Sequence, residues 1–287
     1  MDAWRSPLQY PGGKGRAVAV LFKRIPRRTT RLVSPFFGSG KVELFCAASG
    51  ILVTAGDSFE PLANFWRYAL DDSGQLADQV ETHYPMTKQG FYELRNSFDG
   101  IVGGLERAAA FFALNRASFG GLTLSGGYNP NKERFNRASI DRLRFLQADN
   151  VTVSCADWRD TLARRPDDFA YCDPPYYNFG GLYGKRQECW PVSEHEALAE
   201  SLKRRKAPWL LSYGDCPEIR DLYQDCIVER EEWAYSMKIG RCENYTESNE
   251  LLIRPPMSAS DADIAGSDRN LKQAPMGQSA MSGSSRT

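Results

Sequence analysis

Residues 31–57 read RLVSPFFGSGKVELFCAASGILVTAGD. The apolar run at Leu32 and Val33 breaks at Pro35 and turns on Gly38 and Gly40. KVELFCAASG then reads as a helix, and ILVTAGD as a second buried strand ending on an acid. A short strand, a helix and a second strand are the opening β-α-β of a doubly wound α/β sheet, in which ligands bind outside the carboxyl ends of the strands. Two candidate ligand positions follow, the loop Pro35, Phe36, Gly38, Ser39, Gly40 and the acid Asp57. Glycines there let a ligand approach the backbone at a helix N-terminus. The loop is neither a dinucleotide fingerprint, because no third glycine follows, nor a P-loop, because Lys41 is followed by Val42 rather than Ser or Thr. A G-x-G alone is equally served by a plain tight turn.

Outward from this unit, residues 60–148 carry helical patterning broken by Gly- and Asn-rich loops, NSFDGIVGG at 96–104 and ASFGGLTLSGGYNPN at 117–131. Strand signals resume at NVTVSC (150–155), DFAYCD (168–173) and PWLLSYGD (208–215), with the helix SEHEALAESLKRRK between the last two. IVEREEWAYSMK and SNELLIRP read as a terminal antiparallel pair. The expected organisation is a catalytic domain from 1–59 and 149–256, a mainly helical insertion from 60–148, and a disordered tail over 257–287, where large apolar residues all but vanish.

With 287 residues, 42% hydrophobic and 25% charged, the chain can bury a sizeable core, which excludes disorder throughout. Lys+Arg and Asp+Glu balance at 36 each, so bulk electrostatic coating of nucleic acid is excluded. Residues 1–60 nevertheless hold nine basic residues against four acids. A local basic surface and a merely solvated helix end explain that excess equally well. No run approaches a membrane span and no signal peptide opens the chain, so a cytoplasmic protein is expected, with no membrane partner. Seven cysteines without a C-x-x-C pair, and only His83 and His195, imply no metal site.

The sharpest chemical feature is Asp173-Pro174-Pro175-Tyr176 at the end of the apolar run FAYC. Two prolines cannot continue a strand, so the chain leaves the sheet as a rigid turn. That turn presents a carboxylate, a carbonyl and an aromatic ring together, which suits a planar amine: the first two accept its hydrogens while the ring stacks on the base. A nucleobase so held must be flipped from its duplex. As a bare string, D-P-P-Y also serves as a structural turn. Asp57 is placed for ribose hydroxyls or, alternatively, as a helix cap. Asp157, after VTVSC, could accept from an adenine amine or be a loop acid. Leu8-Gln9-Tyr10-Pro11-Gly12-Gly13-Lys14 sets an aromatic and a lysine on a turn, and lysine neutralises a carboxylate or phosphate.

The order Y-P-G-G-K, P-F-F-G-S-G, Asp57, L-N-R, C-D-P-P-Y resembles the Dam-like, alpha-class N6-adenine DNA methyltransferases over about residues 7–255, with phage-type members closest around LNRASFGGLTLSGGYN. The resemblance implies a Rossmann-like methyltransferase sheet, S-adenosyl-L-methionine as methyl donor and double-stranded DNA as substrate. It implies cofactor contacts from Tyr10, Lys14, Pro35–Gly40, Asp57 and Asp173, catalysis by Asp173, Pro174, Pro175 and Tyr176, and a DNA-facing segment around Asn115, Arg116 and Tyr128. Ser34 departs from the family, which usually has an acid there. FGGLTLSGG also replaces residues that read the site in the best-known members, so a GATC specificity is not implied. The expected chemistry is direct transfer without metal or covalent intermediate. The rivals are another planar amine, such as cytosine N4, RNA adenine or a glutamine amide, or a non-catalytic DNA-binding homologue. Nothing in the sequence marks whether a cognate restriction nuclease accompanies the enzyme.

Overall fold

The computed structural model describes residues 5–9, 14, 17–131, 134–177, 190–232 and 249–256. After α1 (Val18–Arg24), the stretch quoted above folds as β1 (Arg31–Ser34), α2 (Lys41–Ala48) and β2 (Leu52–Asp57). Five helices follow: α3 (Glu60–Asp71), α4 (Ser73–Glu81), α5 (Lys88–Ser97), α6 (Gly104–Ala117) and α7 (Arg137–Arg144). Their starts are written in the sequence. Pro61 needs no N–H in the first turn of α3, and the side chains of Asp72, Thr87 and Asn136 accept from the backbone N–H groups of Gln75, Gly90 and Ser139. The chain then alternates β3 (Val151–Cys155), α8 (Trp158–Ala163), β4 (Phe169–Cys172), α9 (Val192–Arg204), β5 (Trp209–Gly214) and α10 (Pro217–Leu222), and ends in β6 (Ile227–Glu232) and β7 (Asn249–Arg254).

The seven strands form one sheet in the order β3-β2-β1-β4-β5-β7-β6. The first five are parallel, and β7 runs antiparallel to both β5 and β6. Chain order reverses between β1 and β4, so a crevice opens at their carboxyl ends. The registers Val33↔Ala170 and Cys172↔Leu211 set Ser34, Asp173 and Ser212 along that edge, and Gly214↔Glu250 brings β7 to the same end. All four residues of β4 are buried, as expected for a central parallel strand covered on both faces.

The helices of 60–148 share one core with the sheet: Phe65, Trp66 and Phe112 belong to the same buried cluster as Leu32 and Val53. α6 is buried all round from Ala108 to Ala117, being clasped by α3, α4 and α5. Gly56 of β2 lets α8 approach closely, since a Cβ there would lie 2.2 Å from Thr161 Oγ1. The expected tail at 257–287 lies outside the described residues, as do residues 233–238 of the expected terminal strand. Among the described residues no helix is long and apolar enough to cross a membrane.

Candidate active site

β4 ends at Cys172, and the chain turns away on Pro174 and Pro175 with Asp173 at the crevice mouth. Its Oδ1 accepts from Lys14 Nζ and Ser212 Oγ, both at 2.9 Å, and Tyr176 Oη lies 3.4 Å away. No donor among the described residues is directed at Oδ2. Lys14 is buried and also meets Glu250 Oε1 at 3.2 Å and Tyr176 Oη at 2.5 Å, while Tyr176 Oη donates to Glu250 Oε1 at 2.7 Å. Burial opposes the Lys14 charge, but the Asp173 and Glu250 carboxylates outweigh it and hold the ammonium above its ordinary value. Burial, reinforced by the same two acids, pushes the Tyr176 phenol well up, so it stays a donor. The Tyr176 ring lies against the end of β5, where a Cβ on Gly214 would come within 3.0 Å of its Cδ2. The second oxygen of Glu250 is buried without a partner.

The loop after β1 is built for close approach. Gly38 and Gly40 take positive φ of 50° and 65°, and Phe37 tucks its ring where a Gly40 side chain would stand. Pro35, Ser39 and Gly40 are buried, and Phe36 is half-buried, edge-on to Trp190 with centroids 5.4 Å apart. Asp57 ties this loop to the next helix: Oδ2 accepts from the Gly38 N–H and Oδ1 from the Phe59 N–H, both at 2.9 Å. Burial pushes its carboxyl up to about 6, with those two bonds opposing. Each oxygen keeps a second lone pair for a ligand hydroxyl. Ser34, which stands where the family usually has an acid, donates its hydroxyl to Glu43 Oε1 of α2 at 2.7 Å.

Other expected positions are placed differently. Asp157 is exposed and caps α8, its Oδ1 accepting from the Arg159 N–H, which is the loop-acid alternative. Asn115 is fully buried. Its oxygen accepts from the Gln9 N–H at 2.9 Å, and its nitrogen donates to Gln9 O, Gly121 O and Thr123 Oγ1. Arg116 is 6% exposed and donates to the carbonyls of Arg134 and Pro7. Tyr128 is half-buried, with its hydroxyl on Met86 O. α6 has no exposed face at its end, and the side chains of Asn115 and Arg116 pin the segment 7–9 that leads to Lys14. Tyr10 lies outside the described residues.

Four residues escaped the sequence reading. Ser212 and Glu250 sit inside apolar strands, where only the strand register reveals that they face Asp173. Glu43 reads as an ordinary helical acid. Phe119, whose ring is 67% exposed on the loop after α6, reads as one more apolar residue in a Gly-rich turn. No cluster of His, Cys, Asp and Glu among the described residues could hold a metal.

The family model for D12 class N6 adenine-specific DNA methyltransferases matches residues 10–238. The DNA N-6-adenine-methyltransferase of Escherichia phage P1 is 29% identical over 77% of this chain, which spans 31% of that protein's length. The DNA adenine methylases of Salmonella typhi and Escherichia coli K12 are 28% and 27% identical, with 77% of this chain aligned to 84% of each. A SAM-dependent methyltransferase structure from Agrobacterium tumefaciens aligns with 84% of this chain and 58% of its own at TM-score 0.33 and 15% identity, a likeness too low to carry weight. A match over most of the catalytic sheet and the whole helical segment, with Asp173 and Lys14 brought together across the crevice, makes this chain a member of the D12 class of N6 adenine-specific DNA methyltransferases.

Proposed function

We propose that the chain transfers a methyl group from S-adenosylmethionine to N6 of an adenine flipped out of double-stranded DNA. The cofactor lies across the strand ends from Asp57 to Asp173, and the base lies against the 173–176 turn. The observation that carries this reading is the one-sided use of the Asp173 carboxylate. Lys14 and Ser212 fix Oδ1, and Oδ2 is left at the crevice mouth to accept from an amine.

The donor set fits such a cofactor. Asp57 retains lone pairs for a ribose, the positive-φ glycines bring backbone close to a ligand, and acids outnumber cations at the crevice, as a cationic ligand requires. When bound, S-adenosylmethionine supplies an electrophilic methyl on a sulfonium. The chain's part is positioning and electrostatics. Asp173 Oδ2 accepts one N6 hydrogen and the Pro174 carbonyl the other, which turns the nitrogen lone pair out of conjugation and towards the methyl. Tyr176, pinned through its hydroxyl to Lys14 and Glu250, offers its ring as a stacking platform. Lys14 and Ser212 hold Asp173 in place through Oδ1, which leaves Oδ2 to accept. Phe119 suits a wedge against the gap that a flipped base leaves. A reaction on cellular DNA would take place in the cytoplasm, a reading supported by relatives from bacteria and phage.

The test is transfer of labelled methyl from S-adenosylmethionine to unmodified duplex DNA, followed by digestion to nucleosides. N6-methyladenine is the expected product. N4-methylcytosine, or label in RNA but not in DNA, would contradict the reading.

A further inference from the structure

Glu43 is a buried acid that the reaction above does not use. It sits in the first turn of α2, 3% exposed, directly after the glycine loop. Its one neutral partner is Ser34, itself fully buried at the end of β1. No lysine, arginine or histidine among the described residues stands within ion-pair distance of it. Burial pushes the carboxyl up to about 8, the Ser34 and backbone hydrogen bonds opposing, with Asp173 raising it further and Lys14 lowering it. A lone buried carboxyl is a costly thing to keep in a core, where an apolar residue of similar size would be at least as stable.

Its surroundings give it a use. Asp173 and Glu250 already share the Lys14 cation, and Glu43 feels the charges of Asp173 and Lys14 without pairing with either. The strand order sets Asp57 at the end of β2, Ser34 at the end of β1 and Asp173 at the end of β4 in consecutive positions. A ligand laid from Asp57 to Asp173 must pass the Ser34–Glu43 pair.

From this geometry we infer that Glu43, held in place by Ser34, receives the ammonium of the cofactor's amino-acid arm. The inference rests on the cofactor reading above and names the side chain that recognises that arm. Ser34 is a positioning residue, since it acts through Glu43.

Two ligands separate this role from a structural one. S-adenosylhomocysteine carries the amino-acid arm, and 5′-methylthioadenosine lacks both its ammonium and its carboxylate. Titration calorimetry of the full chain with each ligand, in wild type, Glu43→Gln and Ser34→Ala, reads the arm directly. Glu43→Gln keeps size and the Ser34 hydrogen bond, and should weaken S-adenosylhomocysteine about ten- to hundredfold, as expected for one charge-assisted hydrogen bond. Binding of 5′-methylthioadenosine should be unchanged. Ser34→Ala should give a smaller loss for S-adenosylhomocysteine alone, and serves as the test should Glu43→Gln not fold. Equal losses for both ligands, or none for either, would overturn the assignment of Glu43. A folded wild type that binds neither ligand would overturn the cofactor reading and the inference with it.

Discussion

The crevice between β1 and β4 and the turn that ends α6 are both buried, both polar, and both tied to the N-terminal segment. In the crevice, hydrogen-bonding capacity is left over among the described residues: no donor meets Asp173 Oδ2, Glu250 Oε2 is buried without a partner, and no cation pairs with Glu43. At the end of α6 the polar side chains are paired within the chain. Asn115 makes four hydrogen bonds to Gln9, Gly121 and Thr123, and Arg116 reaches two carbonyls. Groups satisfied by their own chain hold the fold, and groups left partly unpaired in a crevice await a ligand.

The strongest way to break this contrast is Lys14→Met. It leaves Asp173 and Glu250 facing each other across a buried space. Breaking such a pair costs about 3 kcal/mol, readable in urea unfolding at pH 7, and methylation should fall on the order of a hundredfold or more. Asn115→Ala tests the other side. It strands the Gln9 backbone groups and should cost about 2 kcal/mol, whereas a residue that only touched DNA would leave the unfolding curve in place.

Smaller effects sharpen the comparison. Gly214→Ala sets a methyl 3.0 Å from the Tyr176 ring. A displacement of a few tenths of an ångström should lower single-turnover methylation by about tenfold or less while stability moves by under about 1 kcal/mol. The pH dependence of the ligand-free protein should bear the mark of Glu43 and Asp57. Their carboxyls lie above ordinary values in the fold, at about 8 and about 6, so the native state binds more protons than the unfolded chain between the ordinary carboxylate range and those values. Stability therefore falls as pH rises from about 4.5 to 8, by up to about 1.4 kcal/mol per unit for one proton. Glu43→Gln should flatten the upper part of that slope in denaturant titrations at fixed pH steps.

What could be read from the chain follows the same division. The stretch 31–57 announced its strand, glycine turn, helix and acid because each depends on local chemistry, and Asp173-Pro174-Pro175-Tyr176 announced a strand end for the same reason. The partners of Asp173 lay out of reach, because Ser212 and Glu250 face it only through the pairing of β5 with β4 and β7. Asn115 and Arg116 were placed in a DNA-facing segment only through the family resemblance, which says nothing of the face a side chain takes. Here α6 is enclosed on every side, and no periodicity marks which face a polar residue takes. Glu43 was missed because its meaning depends on Ser34, nine residues away across a loop.

The most direct test of this account is single-turnover methylation of duplex DNA by Asp173→Ala beside the wild type, with folding checked by circular dichroism. The account predicts an unchanged fold and a fall in N6-methyladenine formation of about a hundredfold or more. A folded Asp173→Ala protein that methylates adenine at the wild-type rate would contradict it.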